Sequence, residues 1–278
     1  MRSFLLAAMA LILSGTPATA ADLQLEPASP WQVDAAPDLC RLSRDYAAGN
    51  ERVTLRLEQF RPGSFIQAVV ITDRVVRAES MARFKVRLGR TPPFRSAAFP
   101  LILPDGRKAM QLNFAFAKPT EASAWTWPTD AALAAIDEIE FAAPIMGALV
   151  FQTRTLANAM SEMRKCGEDM VREWGFDPTE QGALSRQVEP IGSTQKWLRF
   201  EDFKDLPPAA GQLDHLVLRI NVDTAGRPTA CHVARSYSDP AVAARSCPAL
   251  MQRARFTPAL DAAGKPVASF WMQRASHI

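Results

Sequence analysis

The sequence predicts an α+β protein with two domains: a β-rich, sandwich-like N-terminal domain with one long helix, then a small domain of β-hairpin, helix and strand. Three observations support this prediction. Short segments of alternating apolar and polar residues recur in the first half, an apolar stripe at helical spacing follows, and a strand–turn–strand–helix–strand pattern ends the chain. With 278 residues, 48% of them hydrophobic, the chain is long enough for two cores.

The chain begins with the pattern of a secretory signal peptide. Met1 and Arg2 precede an apolar run at 4–13, and small residues at 18 and 20 form a cleavage site. The run has ten residues, whereas a membrane-spanning helix needs ~20. We therefore predict a signal peptide over residues 1–20 and a periplasmic protein with no stable membrane span after cleavage. A retained anchor is the alternative.

Export to an oxidising compartment makes the cysteine count informative. Cys40, Cys166, Cys231 and Cys247 allow three pairings, and the domain organisation favours Cys40 with Cys166 and Cys231 with Cys247. Free structural thiols or a redox pair are the alternatives, although the sequence contains no C-x-x-C motif. The three histidines are isolated, so we predict no metal site and no cofactor.

The β-rich domain is predicted over residues 38–177, after an N-terminal arm at 21–37 that carries three prolines. Its alternating segments are 53–58, 84–88 and 110–116, and an apolar run lies at 65–71. Short alternating strands separated by Pro, Gly and Asp are typical of antiparallel sheets that pack face to face. This pattern predicts the sandwich.

A helix follows these strands. Its apolar face is formed by residues at spacings of three, four and seven: Leu156, Met160, Met163, Met170 and Trp174. Methionines at helical spacing usually fill a core, which favours packing over a copper site. The polar segment at 178–195, with Gly182, Pro190 and Gly192, is predicted to be a linker.

The last domain, at 196–278, has clear element boundaries. A strand at 216–222 leads through a turn at 223–226 into a returning strand at 229–235. A helix begins near Pro240 and contains Pro248, and a final strand is predicted at 267–273. The order is hairpin, helix, strand.

Several short motifs follow one another in this domain. They are Trp197 with Asp202-Phe203, INVDTAGR at 220–227, SYS at 236–238, RFTPA at 255–259 and GKPV at 264–267. In this order and spacing they resemble the TonB C-terminal domain family of energy transducers. The Cys231/Cys247 pair resembles a cysteine-containing variant of that domain. The N-terminal domain is not assigned to a family.

The resemblance implies a periplasmic domain of a Gram-negative cell that binds an outer-membrane receptor by adding a receptor segment to its sheet edge. The edge candidate is the segment Ala268, Ser269, Phe270, Trp271 and Met272. Full transducers have an uncleaved membrane helix and a proline-rich spacer, and this sequence has neither. We therefore predict a non-enzymatic periplasmic binding or adaptor protein whose partner is a cell-envelope protein, such as a receptor segment.

Two other functions remain open: a membrane-anchored accessory transducer for receptor transport, and an envelope hydrolase with its site within 38–177. No catalytic residues are predicted, because the sequence lacks a G-x-S-x-G elbow and a phosphate-binding loop. The Asp223-Thr224-Ala225-Gly226 segment has alanine where an aspartic protease needs glycine. A net charge of +3 does not indicate a nucleic-acid partner.

Overall fold

The structure is a computed structural model that describes residues 22–74, 82–116, 125–143, 147–154, 156–206, 216–235 and 240–274. The predicted signal peptide at 1–20 and the 236–238 motif lie outside the described residues. Strand accounts for 45% of the structure and helix for 22%, and the N-terminal strands form a closed barrel. The predicted α+β class with a sandwich-like domain is therefore wrong.

The first half of the chain is built mainly of strands. In chain order its elements are β1 (Leu23–Pro27), β2 (Gln32–Ala36), β3 (Leu39–Ala48), β4 (Glu51–Gln59), β5 (Phe65–Ile71), β6 (Ala82–Leu88), β7 (Phe94–Ile102), β8 (Lys108–Ala115), α1 (Asp130–Ala134), β9 (Glu138–Ala143), β10 (Gly147–Gln152) and α2 (Leu156–Glu173).

One strand closes the sheet into a barrel. The nine strands of the barrel follow the order β1-β10-β9-β6-β7-β8-β5-β4-β3, and β2 extends the sheet beyond β3. β1 pairs in parallel with β10, with Leu23 opposite Leu149, and antiparallel with β3, with Glu26 opposite Ala47. The segment at 21–37, predicted as an arm, therefore supplies the closing strand, and all other barrel pairings are antiparallel.

The sandwich prediction fails because the apolar residues of the alternating strands share one enclosed core. Leu42, Leu55, Ile66 and Phe141 are fully buried in this core. Helix α2 adds its methionine face to the same core, and the Cys40–Cys166 disulfide ties it to β3. No second sheet is needed to cover these strands, since the barrel and the helix already do so.

The second half of the chain forms a small three-stranded sheet with a helix on one face. Its elements are α3 (Pro178–Gly182), β11 (Glu189–Pro190), two 3-10 helices (Thr194–Lys196 and Phe200–Asp202), β12 (Val217–Val222), β13 (Pro228–Arg235), α4 (Pro240–Arg253), β14 (Phe256–Thr257), β15 (Ala259–Leu260), β16 (Pro266–Val267) and β17 (Ser269–Arg274).

Within this sheet the order is β13-β12-β17, and the Cys231–Cys247 disulfide joins β13 to α4. The hairpin, helix and strand thus follow the order expected from the sequence. The segment at 178–195, predicted as a linker, contains α3 and β11, and β11 pairs with β14. The domain boundaries themselves stay a prediction.

Two turns of this region share the pattern Asp-x-Ala-Gly. In the first, the Asp223 carboxylate accepts from the N–H groups of Ala225 and Arg227, and in the second Asp261 accepts in the same way from the two matching N–H groups. Gly226 and Gly264 have φ of 77° and 79°, which favours glycine. The turns therefore end the strands by the same side-chain chemistry.

Candidate functional site: a cavity beside the last strand

The C-terminal sheet packs against the outside of the barrel, and buried ion pairs form part of the contact. Glu58 on β4 is fully buried and accepts from Arg41 Nε at 3.0 Å and from Arg235 Nη1 at 2.5 Å. Arg219 Nε donates to Asp38 Oδ1 at 2.6 Å. Arg235 and Arg219 belong to the sheet, so their carboxylate partners fix its position on the barrel.

Apolar side chains of β17 complete this contact. Phe270 packs edge-on against Trp174, with ring centroids 4.8 Å apart, and Met272 packs against a small cluster around Phe60. Trp271 points to the opposite face, where it lies 6.3 Å from the ring of Phe256. Successive side chains of a strand alternate between faces, so Phe270, Met272 and Arg274 all face the barrel.

The strand β17 has one paired side. It pairs with β12 along its whole length, and none of the described residues forms a ladder with its other side. The N–H of Asp223, directly after β12, donates to the Arg227 carbonyl and therefore points to β13. Because the backbone groups of successive strand residues point to alternate sides, those of Ile220, three residues earlier, point to β17. Trp271, opposite Ile220, is therefore bonded to β12, and the N–H of Met272 points outward.

A second contact supports this assignment. The carbonyl of Ala268 accepts from Gln181 Nε2 at 3.0 Å, so it points away from β12 and towards α3. Residues 268, 270 and 272 share one direction in an extended strand. The side chain of Gln181 also accepts from the Ser269 hydroxyl at 2.6 Å. Helix α3 thus covers the start of the edge, and the edge near Met272 has no such cover among the described residues.

A cavity of about 300 Å³ lies beside this edge. One wall is β17, with Phe270, Trp271, Met272 and Arg274. The other walls come from the turn between β4 and β5, from Trp125, and from the segment that leads into β11; they include Phe60, Arg61, Phe65, Gln187 and Val188. The lining combines apolar side chains with the charged groups of Arg61 and Arg274 and the amide of Gln187, and a few placed polar groups among apolar ones are common in ligand sites.

Two arginines make this cavity positive. Arg274 donates to Asn113 Oδ1 at 3.0 Å and lies 4.2 Å from the Phe65 ring centroid, but it contacts no carboxylate among the described residues. Burial, together with the nearby charges of Arg235 and Arg61, lowers the pKa of Arg274 to about 10. Burial also lowers the pKa of Arg61, which has no hydrogen-bond partner in the described part of the chain. Both remain protonated at neutral pH.

The residues predicted from the sequence are partly brought together here. Phe270, Trp271 and Met272 line the cavity, Ala268 and Ser269 contact α3, and the four cysteines lie elsewhere in two disulfides. Sequence reasoning missed Arg61, Phe65, Trp125 and Arg274. The one available signal was the spacing of Phe270, Met272 and Arg274, which places the three side chains on one face of a strand.

The described ranges contain neither a metal-binding cluster nor a membrane-spanning helix. Among these residues, no group of three or more His, Cys, Asp and Glu side chains is arranged to hold a metal. None of the described helices has the length and apolar content to cross a membrane. The two disulfides are compatible with an extracytoplasmic protein.

Comparisons of this chain with family models, with curated proteins and with solved structures find no match. The likeness to the TonB C-terminal domain therefore rests on the sequence motifs and stays a prediction. The fold defines a class in plain structural terms: a closed nine-stranded barrel that carries a three-stranded sheet, whose outer strand β17 is paired on one side among the described residues.

Proposed function

We propose that this protein is a non-enzymatic binding or adaptor protein of the periplasm, and that β17 takes up an extended segment of a cell-envelope protein. Strand addition of this kind uses unpaired backbone groups for affinity and side-chain pockets for selection. A receptor segment of the outer membrane is the expected partner if the TonB-like motifs carry the family's function.

The observation that supports this proposal most directly is the outward N–H of Met272 next to a cavity. Unpaired strand edges are usually covered, charged or twisted away, because they promote aggregation. Here the first part of the edge is covered by α3, and the part beside Met272 faces a lined cavity. A specific guest strand would need an edge that lies open beside a lined cavity, as the edge at Met272 does among the described residues.

The barrel supplies the rigid side of this site. Buried pairs from Glu58 and Asp38 hold the sheet on the barrel, so the cavity walls from both halves keep their relative position. Sites whose walls are fixed in advance lose less entropy on binding. In this proposal the barrel has a binding role as a wall of the site.

The test uses two variants of Met272 in the full chain. Met272→Pro removes the outward N–H, and proline is tolerated at the outer side of an edge strand. Met272→Val loses the same thioether but keeps the N–H, so it is the matched control. We expect wild type and Met272→Val to capture the same envelope protein from an extract, and Met272→Pro to lose it while both disulfides and the folded circular-dichroism spectrum remain.

Undiminished capture by a folded Met272→Pro variant would show that backbone pairing is not used. If that variant fails to fold, hydrogen exchange of the wild type replaces it. In that case a segment of the captured protein is added, and the Met272 amide should become slower to exchange. An unchanged exchange rate with the segment bound contradicts the proposal.

A further inference from the structure

The arginines at the contact between barrel and sheet fall into two groups. Arg41, Arg219 and Arg235 each contact a carboxylate at 3.0 Å or less. Arg61 and Arg274, which line the cavity, contact none among the described residues. A half-buried charge is costly unless it is paired, so these two guanidinium groups differ from their neighbours in a way that indicates a missing anion.

Carboxylates fit such a pair well. The guanidinium group is planar and donates two parallel hydrogen bonds to a carboxylate, which makes the contact both strong and directional. The apolar walls from Phe60, Phe65 and Met272 make one side of the cavity less polar than bulk water, which strengthens an ion pair formed there. The mutual repulsion of Arg274 and Arg61 is also relieved by an anion placed between them.

Strand addition would place the carboxylate of a guest residue on the face of the sheet that lies against the barrel. In an antiparallel or parallel ladder, residues opposite each other place their side chains on the same face of the sheet. Met272 and Arg274 face the barrel, so a guest residue opposite either of them also faces the barrel and enters the cavity. A volume of about 300 Å³ accommodates one or two side chains.

We propose that the cavity selects an acidic residue, Asp or Glu, in the extended segment that binds β17, with Arg61 and Arg274 holding its carboxylate. This inference rests on the proposed function, because strand addition places the acidic side chain. The unpaired backbone groups of the edge would accept any extended segment, whereas the two arginines require an acidic side chain in it.

The experiment is a selection from displayed random nine-residue peptides on the full mature chain. We expect enrichment of Asp or Glu at one position, and replacement by Gln or Asn to weaken binding about tenfold or more, as for a lost charge-assisted pair. Arg61→Gln should remove this preference while leaving affinity for the amide-substituted peptide nearly unchanged. Arg95→Gln, an exposed arginine on β7 that does not line the cavity, is the matched control and should behave as wild type.

Failure of the inference is distinguishable from failure of the proposed function. Peptides that bind through the Met272 N–H without an acidic preference, or with one that survives in Arg61→Gln, overturn the anion pocket and leave strand addition in place. If no peptide is enriched, strand addition fails, and the inference fails with it. The protein could instead bind anionic phospholipid vesicles through Arg61 and Arg274 and show no preference for acidic peptides. That result would assign the pocket to a lipid phosphate and overturn the proposal.

A second arm needs no strand addition. N-acetylglutamate α-amide is titrated against the wild-type chain, with N-acetylglutamine amide as the neutral control, and the Nε–Hε NMR signals of arginine are followed. The Arg274 signal should shift with the acid alone, and the shift should weaken as salt is raised. Equal shifts with acid and amide contradict a carboxylate pocket.

Discussion

The barrel and the C-terminal sheet differ in what happens to their outer strands. In the barrel, β1 pairs on both sides, with β10 and with β3, so the nine strands form a closed ring, and β2 extends the sheet beyond it. In the C-terminal sheet, β13 and β17 are both outer strands, and β17 ends beside a cavity. Closure removes backbone donors from solvent, whereas an open sheet keeps them available. In the function proposed above, the closed ring serves stability and the open edge of β17 serves recognition.

Each of the two regions contains one disulfide. Cys40–Cys166 closes a sequence separation of 126 residues and fastens α2 over the barrel core, and Cys231–Cys247 closes one of 16. On chain-entropy grounds, replacing both cysteines of the first pair by alanine should cost about 5 kcal/mol, and replacing those of the second about 3 kcal/mol. Urea denaturation of the two double variants checks this order, and equal losses would show that loop length does not decide it.

Breaking the contact between the regions should have the next largest effect. Glu58→Gln leaves Arg41 and Arg235 without their shared charge in a buried site, which should cost about 3–5 kcal/mol. The control is Glu26→Gln, whose pair with Arg154 is largely exposed and should contribute less than about 1 kcal/mol. The free energies of unfolding of both variants decide the point, and a Glu58→Gln loss as small as that of the control would contradict the account.

The two Asp-x-Ala-Gly turns give a smaller and closely matched comparison. A Cβ on Gly226 would lie 2.0 Å from the Phe256 carbonyl oxygen, whereas one on Gly264 would meet no atom within 4 Å. Alanine at either position is strained by about 1–2 kcal/mol in a left-handed conformation. Gly226→Ala should lose about 1–3 kcal/mol more from the clash, seen as a lower melting temperature. Equal melting temperatures would mean that the chain near Phe256 moves aside easily.

The sequence patterns predicted β4, β5, β6, β8, α2, β17 and the β12–β13 hairpin, because each depends on local periodicity or on a local apolar run. The strands β3, β7 and β10 were not predicted. Closure of the barrel was not predictable in this way. Alternation indicates which side chains of a strand are buried, but it does not indicate whether the first and last strands of a sheet pair with each other. The closing strand was missed because prolines at 27, 30 and 37 outweighed the alternation of Leu23 and Leu25. Its partner Leu149 lies far away along the chain, and nothing local marks that pairing.

The candidate site was predictable only on the strand that carries it. Phe270, Trp271 and Met272 were singled out from the family resemblance, and all three line the cavity. Arg61 and Trp125 reach the cavity from separate loops, so no motif or spacing connects them with β17. Assembling such a site needs the packing of the sheet on the barrel, which depends on the buried Glu58 and therefore on contacts distant in sequence.

The most direct measurement is residue-resolved amide hydrogen exchange of the isolated protein. The N–H groups of Trp271 and Gln273 are assigned to the ladder with β12, and that of Met272 to the open side. We expect slow exchange for Trp271 and Gln273 and fast exchange for Met272 between them. Protection of Met272 equal to that of its two neighbours would mean that the outer side of β17 is already paired, and would contradict the account.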